Sequence, residues 1–317
     1  MMTSSTRPAT SPAGERENSS PWCVIVNPNA GGGRCGKEAR IAISALRDKG
    51  HKLDVLETSA PRDATEIARI AYQRGTRSFL CVGGDGTTHE VVNGVLPLSL
   101  ATGERATLAM LPLGTGNSFL RDFHVFDPKT ASARFERGEK HDVDALRITH
   151  SSGELFAFNL VGLGFAARAG ALTNQRYKGF GALGYILAVL QSTIDLKADC
   201  VPFTTDRATR DARPALLLSF SNSRCTGGHM QMAPHASASD GELDIIRIGT
   251  MPRHRFLTAF PSIFRGTHVE RPEVEETRAT HVDFEMSAPV DAMIDGEVVS
   301  LAVKRIEIVH HAFRVIA

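Results

Sequence analysis

The sequence predicts an α/β fold with a mostly parallel sheet in its first half and a mainly antiparallel β-sandwich in its second. Three observations carry this. Short apolar runs alternate with helical stretches between residues 22 and 119, the pattern of a parallel sheet covered on both faces. Polar, glycine-bearing turns fall after three of those runs, at 27–34, 83–90 and 112–118. Near residue 143 the texture changes, and later strands follow one another mostly without helices between them, as antiparallel strands do.

In chain order, Trp22-Cys23-Val24-Ile25-Val26 reads as a buried strand ending in Asn27-Pro28-Asn29-Ala30-Gly31-Gly32-Gly33-Arg34. Residues 37–49 form a helix ended by Gly50, 52–57 a second strand, and 63–74 a second helix stopped by Gly75. The strand 78–82 leads into Gly83-Gly84-Asp85-Gly86-Thr87-Thr88-His89-Glu90 and a helix that runs to Pro97. Residues 107–111 are a fourth strand, leading into Pro112-Leu113-Gly114-Thr115-Gly116-Asn117-Ser118-Phe119. Residues 143–148 and 154–161 read as a hairpin turned at Ser151-Ser152-Gly153. One helix, about 182–196, precedes strands at 215–220, 243–248, 281–286, 292–294 and 298–303, and 205–214 is expected as a loop.

The chain has 317 residues, enough for two domains, and the boundary is placed near 145: a first domain over 21–145 and a mainly β second domain over 146–302. Residues 1–20 are rich in Ser, Thr, Pro and charge without an apolar core, so they read as a disordered tail, not a signal peptide. Lys and Arg number 36 against 35 Asp and Glu, so bulk charge gives no reason for a nucleic-acid partner. Five cysteines without a Cys-x-x-Cys pair support neither a disulfide framework nor a zinc site and fit a reducing cytoplasm. The longest apolar stretch, 180–190, is about half the ~20 residues of a membrane span. A cytoplasmic protein in transient contact with a membrane surface is expected.

The turn at 83–90 is the most informative stretch. Its glycines let backbone approach a ligand closely, and the following helix presents free N–H groups that suit phosphate. Asp85 is out of place in such a turn unless a metal ion or a reacting proton explains it. Gly31-Gly32-Gly33-Arg34-Cys35-Gly36-Lys37 nearly spells a P-loop, but Glu38 stands where a Ser or Thr is needed. A flexible strand–helix loop and a nucleotide-facing loop of another kind remain, and the other two turns favour the second. Thr115 and Asn117 offer neutral donors, and Ser118 can cap a helix. Asp240-Gly241-Glu242 is either a tight turn or a hard-cation site, and Asp295-Gly296-Glu297 is by hairpin rules a turn first. The histidines lack metal-ligand spacing, and no Gly-x-Ser-x-Gly elbow is present.

Together these stretches resemble the diacylglycerol-kinase-type catalytic domain, the family of bacterial soluble lipid kinases, sphingosine kinases and ceramide kinases. The matching residues are 24–32, 83–94, 111–119, 159–165, Gly227-Gly228 with Ala233-Pro234, 240–244 and 294–297, in the family's order. The resemblance implies an N-terminal domain similar to NAD kinase and phosphofructokinase, with 303–317 returning to it. It implies that Asn27, Thr58, Gly84, Asp85, Gly86, Thr87, Thr88, His89, Glu90 and Thr115 hold ATP. Asp85 acts through Mg²⁺ or assists transfer, Glu297 is the general base, and Asp295 is the less favoured base. Asp240, with the backbone carbonyls of Ser237 and Glu242, is similar to the structural Mg²⁺ site of some bacterial members. The implied reaction is phosphoryl transfer to the primary hydroxyl of a lipid at a membrane surface, and a homodimer is compatible with it. Ser118 stands where many bacterial members have Asp, so diacylglycerol, sphingoid base and ceramide all stay open. The rivals are an NAD kinase-like enzyme and a non-catalytic lipid- or nucleotide-binding protein.

Overall fold

The computed structural model describes residues 21–177, 181–208 and 210–317; the expected tail at 1–20 lies outside them. The first half alternates as expected: β1 Trp22–Val26, α1 Cys35–Asp48, β2 Leu53–Glu57, α2 Asp63–Gln73, β3 Ser78–Gly83, α3 Asp85–Thr102, β4 Thr107–Pro112 and α4 Pro128–Arg137. Then come β5 Lys140–His150, β6 Gly153–Ala157, β7 Leu160–Gly164, α5 Phe165–Leu172, α6 Gly181–Ser192, β8 Phe203–Thr205 and β9 Ala215–Ser221. The chain closes with β10 Cys225–Thr226, β11 Met230–Gln231, β12 Leu243–Gly249, α7 Arg253–Ala259, β13 Val274–Ala279, β14 His281–Phe284, β15 Val290–Ile294, β16 Glu297–Leu301 and β17 Val303–Ile316.

One sheet of nine strands has the order β2-β1-β3-β4-β17-β14-β8, with β5 added on β17 and β6 on β5. Its pairings from β2 through β4 to the end of β17 are parallel. The second sheet, β13-β12-β9-β7-β15-β16, is antiparallel throughout. One core lies between β1, β3, β4 and the helices α1 and α3. A second fills the space between the two sheets, around Leu146, Val161, Phe220, Ile245 and Ile306. A third lies on the outer face of the second sheet, where α5 and α7 add Phe165, Ala169 and Phe256. Buried on both faces, β9 and β12 have no exposed residue, which is why they read as continuous apolar runs.

Three local expectations are corrected. The helix after the glycine turn does not stop at Pro97 but continues to Thr102. Pro97 lies on the exposed side of the helix, while Val95, Leu96 and Ser99 keep the buried stripe going. The expected strand 154–161 is two strands, because the chain leaves the first sheet after Ala157 and enters the second at Leu160. The second half also holds α5, α7, β8 and β13 in addition to the one helix expected.

Candidate active site

The three glycine turns meet above the carboxyl ends of β1, β3 and β4, where parallel sheets bind ligands. The turns at 83–86 and 112–116 touch backbone to backbone. A Cβ on Gly114 would lie 2.3 Å from the Gly84 Cα, and one on Gly31 would lie 2.6 Å from the Leu113 carbonyl oxygen. The N–H groups of Leu113 and Gly114 both donate to Gly83 O at 2.8 Å. The Asn27 side chain donates to Thr87 Oγ1 at 3.3 Å, which fixes the first turn against the start of α3. No side chain caps α3; the Thr87 and Thr88 N–H groups donate back to Gly84 O at 3.0 and 3.2 Å, which leaves those of Asp85 and Gly86 for a ligand.

Asp85 opens α3 and points into the third turn. Its two oxygens accept the Ser118 N–H at 3.1 and 2.8 Å, and Gly116 leaves room for it, since a Cβ there would come within 3.1 Å of Oδ2. Burial pushes the Asp85 carboxyl up; the Ser118 and Phe119 N–H groups oppose this, and the Asp295 charge adds to it. Among the described residues no lysine or arginine pairs with it. A desolvated carboxylate without a cation, at a helix end suited to phosphate, is a donor set that fits a hard divalent ion. Ser118 Oγ in turn accepts the Gly228 N–H at 2.8 Å, so this turn also joins the two halves of the chain.

Asp295 and Gly296 make the two-residue connection between β15 and β16, with φ of +49° and +96°, as a type I′ hairpin requires. The Asp295 carboxylate is buried and points inward. It accepts the N–H groups of Phe158, Asn159 and Leu160 at 3.0–3.1 Å, at the crossover between the sheets. It also takes His89 Nδ1 at 2.9 Å. Burial disfavours the charged form of His89, but the hydrogen bond and charge of Asp295, with Glu297 and Glu90 nearby, outweigh it, so its pKa is raised. Glu297, two residues on, is exposed and faces α3: a Cβ on Gly86 would lie 3.5 Å from its Oε1.

With this geometry in view, the relatives can be placed. Residues 21–148 match the model of the diacylglycerol kinase catalytic domain, and 159–317 match that of the YegS C-terminal NAD kinase beta sandwich-like domain. A diacylglycerol kinase of Mycobacterium tuberculosis (strain ATCC 25618 / H37Rv) is 30% identical over 279 residues, 86% of this chain and 87% of its own. The chain belongs to the diacylglycerol kinase family. A second member, the diacylglycerol kinase of Bacillus subtilis (strain 168), is 27% identical over 284 residues, 86% of this chain and 88% of its own. The fold agrees with a crystal structure of a candidate diacylglycerol kinase from Bacillus anthracis str. Sterne. That structure is 23% identical with a TM-score of 0.77, covering 96% of this chain and 98% of the other.

The remaining residues of the family's motifs have varied surroundings. Thr58, Thr87 and Thr88 are buried around the turns, and Thr115 is exposed at the rim. Glu90 is used structurally: its oxygens accept the N–H groups of Arg62 and Ala64 at 3.0 and 3.1 Å, at the start of α2. Asn117 spends its amide on the Pro112 and Gly114 carbonyls, holding its own turn. Asp240 and Glu242 are both paired with Arg278, and Glu242 also with Arg207, while Ser237 lines a cleft with Lys140 and Arg224. The cation facing Asp240 is the Arg278 guanidinium.

Two residues escaped the sequence reading. Asn93 clamps α3 to β6: its amide donates to Phe156 O and its oxygen accepts Phe156 N–H, both at 2.9 Å. Asp144, fully buried in β5, accepts the N–H groups of Gly241 at 2.7 Å and His311 at 2.6 Å. Its signal was an acid inside an apolar run, Val143-Asp144-Ala145-Leu146.

Proposed function

We propose that the chain transfers the γ-phosphoryl group of ATP to the primary hydroxyl of a membrane lipid, with Glu297 as general base and Asp85 at the phosphate end. One observation carries the reading: an exposed carboxylate, Glu297, faces Gly86 at the uncapped start of α3, while its neighbour Asp295 is walled in. Phosphoryl transfer asks for positioning and charge neutralisation more than for covalent chemistry. The Asp85 and Gly86 N–H groups at the start of α3 hold phosphate oxygens, and the glycine turns let the polyphosphate lie against backbone. Asp85 would hold Mg²⁺, which when bound would supply charge neutralisation for the triphosphate. Glu297 takes the hydroxyl proton as the acceptor oxygen bonds to phosphorus and the bond to the ADP oxygen breaks. Asp295 is a positioning residue: four hydrogen bonds occupy its carboxylate and fix the hairpin that carries Glu297. Two relatives named diacylglycerol kinases make diacylglycerol the first acceptor to test, ahead of sphingoid base and ceramide.

The test is labelled ATP offered to a total lipid extract and to each purified lipid, with and without magnesium, followed by product chromatography. Labelled lipid that disappears in Asp85→Asn and Glu297→Gln, with unchanged thermal melts, supports the assignment. Full activity in both variants sinks it, and labelled NADP from NAD without any lipid product would assign the chain to the NAD kinase-like rival.

A further inference from the structure

The acids around the start of α3 outnumber the cations. Asp85, Glu90, Asp295 and Glu297 lie on or beside its first two turns. Among the described residues the only basic side chain paired with any of these four is His89, and it is spent on Asp295. A bound triphosphate adds further negative charge, so a cation from outside this set is wanted. Arg121 is placed to supply it. It lies in the 3₁₀ helix Phe119–Phe123, three residues after Ser118, a spacing that such a helix stacks on one side. Ser118 donates its N–H to Asp85 and accepts the Gly228 N–H on Oγ. Arg121 continues this seam, and its Nη2 donates to His229 Nε2 at 3.0 Å. Gly227 and Gly228, with φ of +53° and +90°, make the turn between β10 and β11 that brings His229 there.

The Arg121 guanidinium is unspent. Among the described residues it joins no ion pair, and the neighbouring Asp122 takes Arg224 instead. Its Nε–H is buried without an acceptor. The Phe126 ring centroid lies 5.5 Å from its Cζ and steadies the guanidinium without neutralising it. Burial and the Arg121 charge hold His229 below the ordinary imidazole value, so it accepts on Nε2 as a neutral ring.

We infer that Arg121, seated by His229 and Phe126, is the cation that holds the γ-phosphate of ATP. Its planar fork meets phosphate oxygens in pairs, as the point charge of a lysine does not. A buried N–H without an acceptor costs stability, and the side chain sheds that cost when it turns to a phosphate oxygen. The ladder Asp85, Ser118, Gly228 and His229 ties the arginine to the phosphate end of the site. The ladder draws on both halves of the chain, so the cation is seated only when the halves lie against each other. The inference rests on the kinase reading, but its first test does not require turnover.

The full chain, Arg121→Gln and Arg121→Lys are titrated calorimetrically with ATP and with ADP, each with magnesium and without lipid. The readout is the ratio of the two affinities within each protein, which a smaller folded fraction does not alter. Arg121→Gln is expected to lower the affinity for ATP by about tenfold or more and that for ADP by less than about twofold. Arg121→Lys keeps the charge but not the fork, so its ratio should fall by about threefold or more. Phosphorylation of detergent-dispersed diacylglycerol, followed in parallel, should drop by roughly 10²–10³-fold in Arg121→Gln. A wild-type ratio in Arg121→Gln, or equal losses for both nucleotides, overturns the inference and leaves Arg121 a tie between the halves. Where Arg121→Gln does not fold, the ratio of Arg121→Lys makes the same decision. Lipid turnover by the wild type with unchanged ratios in the variants removes Arg121 and leaves the kinase reading standing. A ratio that splits without any lipid product does the reverse, and a wild type that binds neither nucleotide ends both.

Discussion

The tripeptide Asp-Gly-Glu occurs twice, at 240–242 and 295–297, and the two copies are used in opposite ways. In the first copy Asp240 and Glu242 point outward and share Arg278, so both charges are neutralised by side chains of the second half. In the second copy Asp295 turns inward to three backbone N–H groups and His89, and Glu297 is left in the open beside α3. The backbone explains part of this. Asp295 has a φ of +49°, and the type I′ turn sends its side chain back across the hairpin toward the crossover at 158–160; Asp240 is not in that conformation. The surroundings explain the rest: Arg207 and Arg278 stand by one copy, and glycine backbone by the other. A carboxylate paired with arginine is a structural charge, whereas Glu297, exposed beside Gly86 and in no ion pair among the described residues, is open to a substrate hydroxyl.

The sharpest way to break this comparison is to remove the same charge from both copies. Glu297→Gln is expected to lower ATP-dependent lipid phosphorylation by roughly 10²–10⁴-fold, and Glu242→Gln to leave the rate within about twofold, a surface change. Equal losses in the two variants would end the distinction. Next in size is stability. Asp295→Ala strands three buried N–H groups and is expected to cost ~3–5 kcal/mol in urea unfolding. Asp240→Ala, which removes a half-exposed ion pair, should cost no more than about 1 kcal/mol.

A third prediction concerns the strand after the first copy. Asp244 is 1% exposed, its oxygens have no hydrogen-bond partner, and burial pushes its carboxyl up to about 6 although Arg278 lowers it. A raised acid adds stability below its unfolded value, and that contribution is lost as pH rises through the folded value. Asp244→Asn should therefore stabilise the protein by ~1–3 kcal/mol at pH 7 and by almost nothing at pH 4. Melts at the two pH values decide it, and a destabilised Asn variant at pH 7 would show that the ionised form is wanted.

The smallest effect belongs to His89. Its pKa is raised by Asp295 against the effect of burial, so its contribution is complete below the ordinary imidazole value and fades as pH rises past the raised one. In His89→Gln, stability between about pH 6 and 8 should become flatter by ~1 kcal/mol or less. An unchanged pH slope would mean that Asp295 does not hold a charged imidazole.

Much of the site was legible because its signals are local. A strand, a glycine turn and a helix start are contiguous in 78–90, and the alternation from 22 to 119 followed from the same short-range rules. The misreadings share one cause. Pro97 stays inside α3 because buried residues on the far side of the helix outweigh its local effect. The run 154–161 looks like one strand, yet it divides at the point where Asp295, more than 130 residues away, takes its N–H groups. Glu90 and Asn117 are no misreading but carry an added role: within the glycine-turn motifs they also hydrogen-bond backbone nearby.

By itself the sequence determined the layered α/β start, the antiparallel second half, the three glycine turns and the identity of the acids, because helix, strand and turn chemistry act over a few residues. Only the tertiary structure decided which acid is sealed and which is open. That choice depends on which N–H groups, arginines and glycines the fold brings within about 3 Å of each carboxylate, since hydrogen bonds and desolvation act at contact distance. The two Asp-Gly-Glu copies read alike in the chain and part company only when strands more than a hundred residues apart are laid side by side.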